Sequence, residues 1–215
     1  MLAAMQQSTT LTERKMAKTR DRLIATAMRL FAEKGYEATT VEEIAADVEV
    51  SRRTFFRYFA NKEAIVFPDH QRRLTIFRES LKTHCRELPP FDAVRETCLD
   101  FARLYTDERD ELLAQYQVVK TSKVLQANEL EFDLEYETAI AEVLLDKGHI
   151  SRVEEYRRRA LAGAIFGAIR ATLRTWFAGG CRQDLVKLGE QAFDLLARGA
   201  GNRPGAKKRK NIRRR

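Results

Sequence analysis

The eight residues from Arg52 to Phe59, RRTFFRYF, hold three guanidinium groups and four aromatic rings. Wound as an α-helix, they place Phe55 and Phe59 one turn apart on one face and Arg53 and Arg57 one turn apart on the far side. The rings suit a core, and the cations suit an anion. A short helix of this kind fits the major groove of DNA, where Arg pairs with guanine O6 and N7 while other basic groups meet phosphates. Ser51 is expected as its N-cap.

A reading helix needs a second helix to hold it. In residues 40–48, Val41, Ile44, Ala45 and Val48 recur at i, i+3, i+4 and i+7, an apolar stripe on one helical face. Thr40 is the expected N-cap, with Glu42 and Glu43 in the first turn where the helix dipole favours acids. A break at Glu49 and Val50 separates this helix from the next. Upstream, residues 20–38 place Leu23, Ala27, Leu30 and Phe31 on one stripe and stop at Gly35, an expected left-handed cap. Three helices result, and helix-turn-helix is the reading. The competing reading is a surface hairpin whose arginines are merely solvated.

The runs LIATAMRLFAEKGYEATTVEEIAADV and VSRRTFFRYFANKEAI resemble the N-terminal DNA-binding domain of the TetR family of transcriptional regulators. The resemblance covers residues 19–66. One departure stands out, since the family usually has Gly at the turn where this chain has Glu49. A non-Gly residue at positive φ there costs on the order of 1 kcal/mol. The resemblance also implies that Lys62, in NKEAI, touches DNA backbone. Base edges or adjacent phosphates are expected for Arg52, Arg53 and Arg57, the groove surface for Thr54 and Phe56, and backbone contacts for Thr40, Tyr58 and Lys62, with Ser51 at the helix start.

Residues 1–18 show no apolar periodicity and are expected as a flexible basic arm, with Arg14, Lys15, Lys18, Arg20 and Arg22 clustered where it meets the first helix. Such an arm either touches phosphate or stays solvated. Asn61 is expected to cap the helix that follows the reader, and Pro68 to kink it or restart it before it ends near Leu88. Further helices are expected over residues 91–105, 110–121 and 128–146. A long one over 151–178 follows Ser151 and stops at Gly179 and Gly180, and a last one spans 184–198. In the long helix Gly163 and Gly167 sit four apart among alanines, and each costs about 1 kcal/mol relative to Ala. Close approach of another helix is the simplest compensation. The last two helices are expected to pair with the same two of a second subunit in a four-helix bundle, giving a homodimer that presents two readers to a palindrome.

The expected architecture is all-α with about nine helices. A three-helix DNA-binding domain over 19–61 precedes a ligand-binding and dimerisation domain over 62–200 and a disordered basic tail over 201–215. Regulators that this chain resembles are typically repressors released by a small molecule held among the middle helices. Phe77, Phe101, Tyr105, Tyr116, Phe132, Tyr136, Phe166 and Trp176 are the aromatic candidates, although most rings at helical spacing are core. Residues 61–202 carry 21 basic and 23 acidic side chains, which favours an apolar or amphipathic effector over a strongly charged one.

The formal charge of +8 does not support nucleic-acid binding by the folded part, because residues 203–215 carry eight cations and no acid. That tail opens an alternative, a non-specific or architectural DNA binder with steep salt dependence. Three widely spaced cysteines argue against a disulfide framework and fit a reducing compartment. A metal or redox sensor using Cys85 and Cys98 is a further alternative. No HExxH, GxSxG, P-loop or CxxC pattern is present, so no enzyme, cofactor or metal site is expected. Residues 1–12 lack a leader's apolar core, and 160–177 is interrupted by Arg170 and Arg174, so a cytoplasmic protein is expected.

Overall fold

The computed structural model describes residues 10–145 and 151–199. Ten helices run in order along them: α1 Leu11–Lys34, α2 Val41–Asp47, α3 Arg52–Tyr58, α4 Glu63–Val66, α5 His70–His84, α6 Pro90–Asp107, α7 Arg109–Val119, α8 Lys123–Leu145, α9 Arg152–Ala178 and α10 Leu185–Ala197. No strand occurs among the described residues, so the fold is all-α as expected. Of the two outcomes expected at Pro68 the helix restarts: Phe67 to Asp69 separate α4 from α5, which ends at His84, before Leu88.

Local chemistry explains most boundaries. α1 begins at Leu11 rather than at Arg20, which corrects the expected arm over its described part. The reason is a capping box: the Thr10 hydroxyl accepts from the Glu13 amide at 3.2 Å, and the Glu13 carboxylate accepts from the Thr10 amide at 2.7 Å. Arg20 and Arg22, grouped with the arm's cations from the sequence, are engaged by the protein's own carbonyls and a carboxylate. Arg20 donates to the Pro68 carbonyl at 2.7 Å and pairs with Asp69 at 3.1 Å, and Arg22 donates to the Val48 carbonyl at 3.3 Å. Gly35 closes α1 with φ 88° and ψ 155°, not in the expected left-handed helical well but in a region open essentially only to glycine. α8 starts at Lys123, earlier than residue 128, because the Ser122 hydroxyl accepts from the Leu125 amide. The expected stop of this helix at Gly148 and the basic tail lie outside the described residues.

The chain divides into two compact units, one holding residues up to 79 with Glu108–Tyr136, the other Ser80–Asp107 with the residues from 137 onward. In the first, α1 packs on α2, α4 and α7, and α2 packs on α3. Its core joins Leu23, Ala27, Leu30 and Phe31 of α1 to Ile44 and Ala45 of α2, Phe55 of α3, and Val118, Val119 and Leu125 of α7 and α8. The helix-turn-helix therefore shares one core with segments far along the chain, and the boundary expected after residue 61 falls inside this unit. In the second unit α10 packs against α6 and α9. Trp176 is fully buried there, its indole N–H donating to the Gln183 carbonyl at 3.0 Å. A Cβ on Gly163 would lie 3.3 Å from the Glu137 carboxylate of α8, whereas one on Gly167 would meet nothing within 4 Å.

Candidate nucleic-acid interface

The candidate interface is built from α2, its turn and α3. α2 starts with a second capping box, in which the Thr40 hydroxyl accepts from the Glu43 amide at 3.2 Å and the Glu43 carboxylate accepts from the Thr40 amide at 2.9 Å. That backbone hydrogen bond, together with Lys34 at 3.0 Å, holds the Glu43 carboxyl below its ordinary range. The helix ends in a Schellman closure: the Val50 amide donates to Ala45 at 2.9 Å and the Glu49 amide to Ala46 at 3.0 Å. Glu49 takes the left-handed position with φ 60°, so the turn keeps its hydrogen bonds without glycine.

Ser51 then caps α3 by accepting from the Thr54 amide at 3.1 Å. Phe55 and Phe59 are buried, their centroids 5.7 Å apart, while Arg52, Arg53, Phe56 and Arg57 are exposed and Thr54 and Tyr58 half-buried. The separation of rings from cations expected from spacing is realised. The three arginines are not equivalent. Arg52 is ion-paired with Glu42 at 2.9 Å and lies 5.4 Å from the Phe56 ring centroid. Arg57 lies 5.2 Å from the Tyr58 ring centroid. The Arg53 guanidinium has no ion pair or hydrogen bond with any described residue. The Glu42 to Arg52 pair was missed from the sequence, since it depends on how α2 and α3 cross.

Lys62 stands apart from this face. Its ammonium donates to the carbonyls of Tyr36 at 2.7 Å and Thr39 at 2.9 Å. Asn61 caps the next segment by accepting from the Ala64 amide at 2.7 Å, as expected.

The aromatic candidates for a ligand site are divided between the two units. In the first unit, Phe132 and Tyr136 gather around His70: the His70 ring stacks on Phe132 at 3.7 Å and meets Tyr136 edge-on at 5.9 Å, with Phe77 5.1 Å from Tyr136. His70 and Phe67 complete this cluster, and neither was singled out from the sequence, because they join it only through the break at Pro68. Tyr116, also in this unit, lies with its ring centroid 6.0 Å from the Lys120 ammonium. In the second unit, Phe101 and Tyr105 are neighbours at 6.3 Å, Phe166 is buried, and the Trp176 indole is held by Gln183. Burial pushes the Cys98 thiol up, away from the reactive thiolate. Among the described residues no three His, Cys, Asp or Glu side chains are grouped as a metal ion would require, and no helix is long and apolar enough to cross a membrane.

Residues 23–67 match the family of bacterial regulatory proteins, tetR family, and residues 88–201 match the MftR C-terminal domain family. The transcriptional regulator TcmR of Streptomyces glaucescens is 32% identical over 177 residues, 78% of this chain and 76% of that protein. A fatty acid metabolism regulator of Bacillus subtilis is 25% identical over 184 residues, 84% and 95% of the two chains. Among solved structures, FadR of Thermus thermophilus, a TetR family repressor in complex with lauroyl-CoA, superposes with a TM-score of 0.54 at 29% identity and covers 87% of this chain and 98% of its own. Because the likeness runs on through α10 and does not stop at α4, the chain as a whole belongs to the TetR family of DNA-binding transcriptional regulators.

Proposed function

We propose that the protein is a dimeric repressor that reads a palindromic operator with α3 and is released by a small apolar or amphipathic effector. The observation that carries the reading is α3 itself, with Phe55 and Phe59 buried and Arg52, Arg53 and Arg57 exposed on the other side. Arg53 and Arg57 read base edges, and Arg52 must first leave Glu42 or carry it along to a nearby phosphate. Thr54 and Phe56 lie at the groove surface, and Ser51, Thr40 and Tyr58 approach backbone. A two-fold dimer would set the two readers about one turn of DNA apart, ~34–36 Å. α9 and α10 form the pairing surface, supported by exposed Val153, Tyr156 and Leu195 and by the open flank of Gly167. The protein acts on cytoplasmic DNA.

The near balance of charge over residues 61–202 supports an effector whose apolar part carries the binding, and the relative in complex with lauroyl-CoA, a thioester with an apolar acyl chain and an anionic head, supports the amphipathic form. Phe101, Tyr105, Tyr116, Phe132, Tyr136, Phe166 and Trp176 remain the aromatic candidates, with Trp176 the least available.

Selection of duplexes from a random pool by the full chain tests the reading. A palindrome is expected, Arg53→Ala should weaken it by ~1–3 kcal/mol with relaxed base choice, and lauroyl-CoA serves as the first probe for release. A pool that yields no shared sequence, or binding carried wholly by residues 203–215, would replace this reading with the tail-driven binder.

A further inference from the structure

Lys62 and Glu63 open α4, and both reach back to the turn between α1 and α2. The Lys62 ammonium bonds two carbonyls there, at 2.7 Å to Tyr36 and 2.9 Å to Thr39, and lies 4.1 Å from the centroid of the Tyr36 ring. The Tyr36 hydroxyl donates to the Glu63 carboxylate at 2.5 Å. Tyr36 and Thr39 are almost completely buried, and the Thr39 hydroxyl is itself spent on the Gly35 carbonyl at 2.8 Å. The residue immediately after Thr39 is Thr40, the N-cap of α2. One cation therefore joins the end of α1, the start of α2 and the segment that follows α3. Two carbonyls and an aromatic face make a cage for an ammonium, since all three present negative potential to it. Two of the ammonium's three N–H groups are spent in this way, which leaves one for a phosphate.

We infer that Lys62 is a positioning residue for the DNA reader, a clamp that fixes where α2 and α3 stand on α1. The inference rests on the reading of α3 as the DNA reader. It adds a second role to the backbone contact that the likeness of NKEAI to the family implies. Tyr36 is the other half of the clamp: its ring lies under the ammonium and its hydroxyl holds Glu63, so both ends of the turn are tied to the start of α4.

Two variants of the full chain test it, each measured for melting temperature, for binding to a random-sequence duplex across salt concentrations, and for preference between that duplex and the one selected by the parent. Lys62→Met keeps the stem over Tyr36 and removes the charge. It should lower the melting temperature by roughly 6–24 °C, as expected when two charge-assisted hydrogen bonds are removed from a chain of this size, and lower the preference for the selected duplex about tenfold, the equivalent of one misread base pair. The salt slope on random duplex should fall by no more than about 0.9, the share of one phosphate. Lys62→Arg keeps the positive charge but places a planar fork where a compact ammonium fits, so it should fail to restore either property. The inference is overturned if Lys62→Met leaves melting unchanged and reduces the salt slope by about 0.9 for each phosphate no longer neutralised, or if Lys62→Arg binds as the parent does. A fall in melting temperature with sequence preference intact would also overturn it, by reducing Lys62 to a stabilising residue. Arg53→Ala in the same assays separates the two claims, because loss of sequence preference there with none in Lys62→Met would leave the reader in place and remove only the clamp.

Discussion

The corner between α2 and α3 and the corner between α9 and α10 close in the same way. In each, the amide two residues past the cap reaches back to the third residue from the helix end, Val50 to Ala45 and Cys181 to Trp176, both at 2.9 Å. In each, the residue before it takes the left-handed conformation, Glu49 at φ 60° and Gly180 at φ 65°. A polar cap then starts the next helix, Ser51 in one case and Asp184 in the other. At that position one corner uses glycine and the other glutamate, and in the α9–α10 corner Cys181 follows as a second residue at positive φ, 57°. The hydrogen bonds decide the geometry of the turn, and the residue at the left-handed position decides only how much the turn costs.

The corners also differ in what they are anchored by. α9 ends on Trp176, fully buried with its N–H satisfied, whereas α3 is anchored by Phe55 and Phe59 and leaves its other face to solvent. The largest expected effects come from removing these anchors. Trp176→Ala and Phe55→Ala should each cost about 3–5 kcal/mol by chemical denaturation. If the two units unfold separately, Phe55→Ala should lower the transition reported by α1 to α3 and leave the other in place. A single transition shifted equally by both would show that the two corners do not report separate units.

Exchanging the turn residues tests the comparison directly and with smaller effect. Gly180→Ala should destabilise by about 1 kcal/mol, and Glu49→Gly should stabilise by up to about 1 kcal/mol, part of the gain being offset by the greater freedom of glycine in the unfolded chain. Equal and opposite shifts would mean that the corners are energetically alike. No gain from Glu49→Gly would mean that the glutamate side chain contributes something that glycine lacks. Thr40→Ala, which removes the α2 cap, should cost about 0.5–2 kcal/mol.

The smallest effect is expected with pH. The Glu43 carboxyl is lowered from its ordinary value of 4.5, first by the Thr40 amide and then by Lys34. A lowered acid contributes stability that is present above its unfolded value and lost as the pH falls through the folded one. The cap on α2 should therefore weaken below pH 4.5, and a carboxyl-detected titration showing Glu43 at or above that value would contradict the capping geometry. No acid caps α3 by the same reciprocal bond, so its start should show no matching loss.

How much of this was legible in the sequence follows from the range of the forces involved. Apolar spacing and caps act over three or four residues, so α2, α3, α9 and α10 and the caps at Thr40, Ser51 and Ser151 could be read directly, while Asp184, taken as the first residue of the last helix, is its cap. The separation of Phe55 and Phe59 from Arg53 and Arg57 is a property of helical period alone. The capping box at Thr10 was equally local and was overlooked because residues 10–18 bury no apolar stripe; they are exposed throughout. What sequence could not supply were contacts whose partners lie far away. Lys62 finds its acceptors at Tyr36 and Thr39, Glu42 finds Arg52 across the turn, and Ser122 donates to Glu37 at 2.6 Å. Each turns an apparently free polar group into a committed one. Local pattern determined which residues face outward on the reader, and only packing decided which of those charges remain available to DNA.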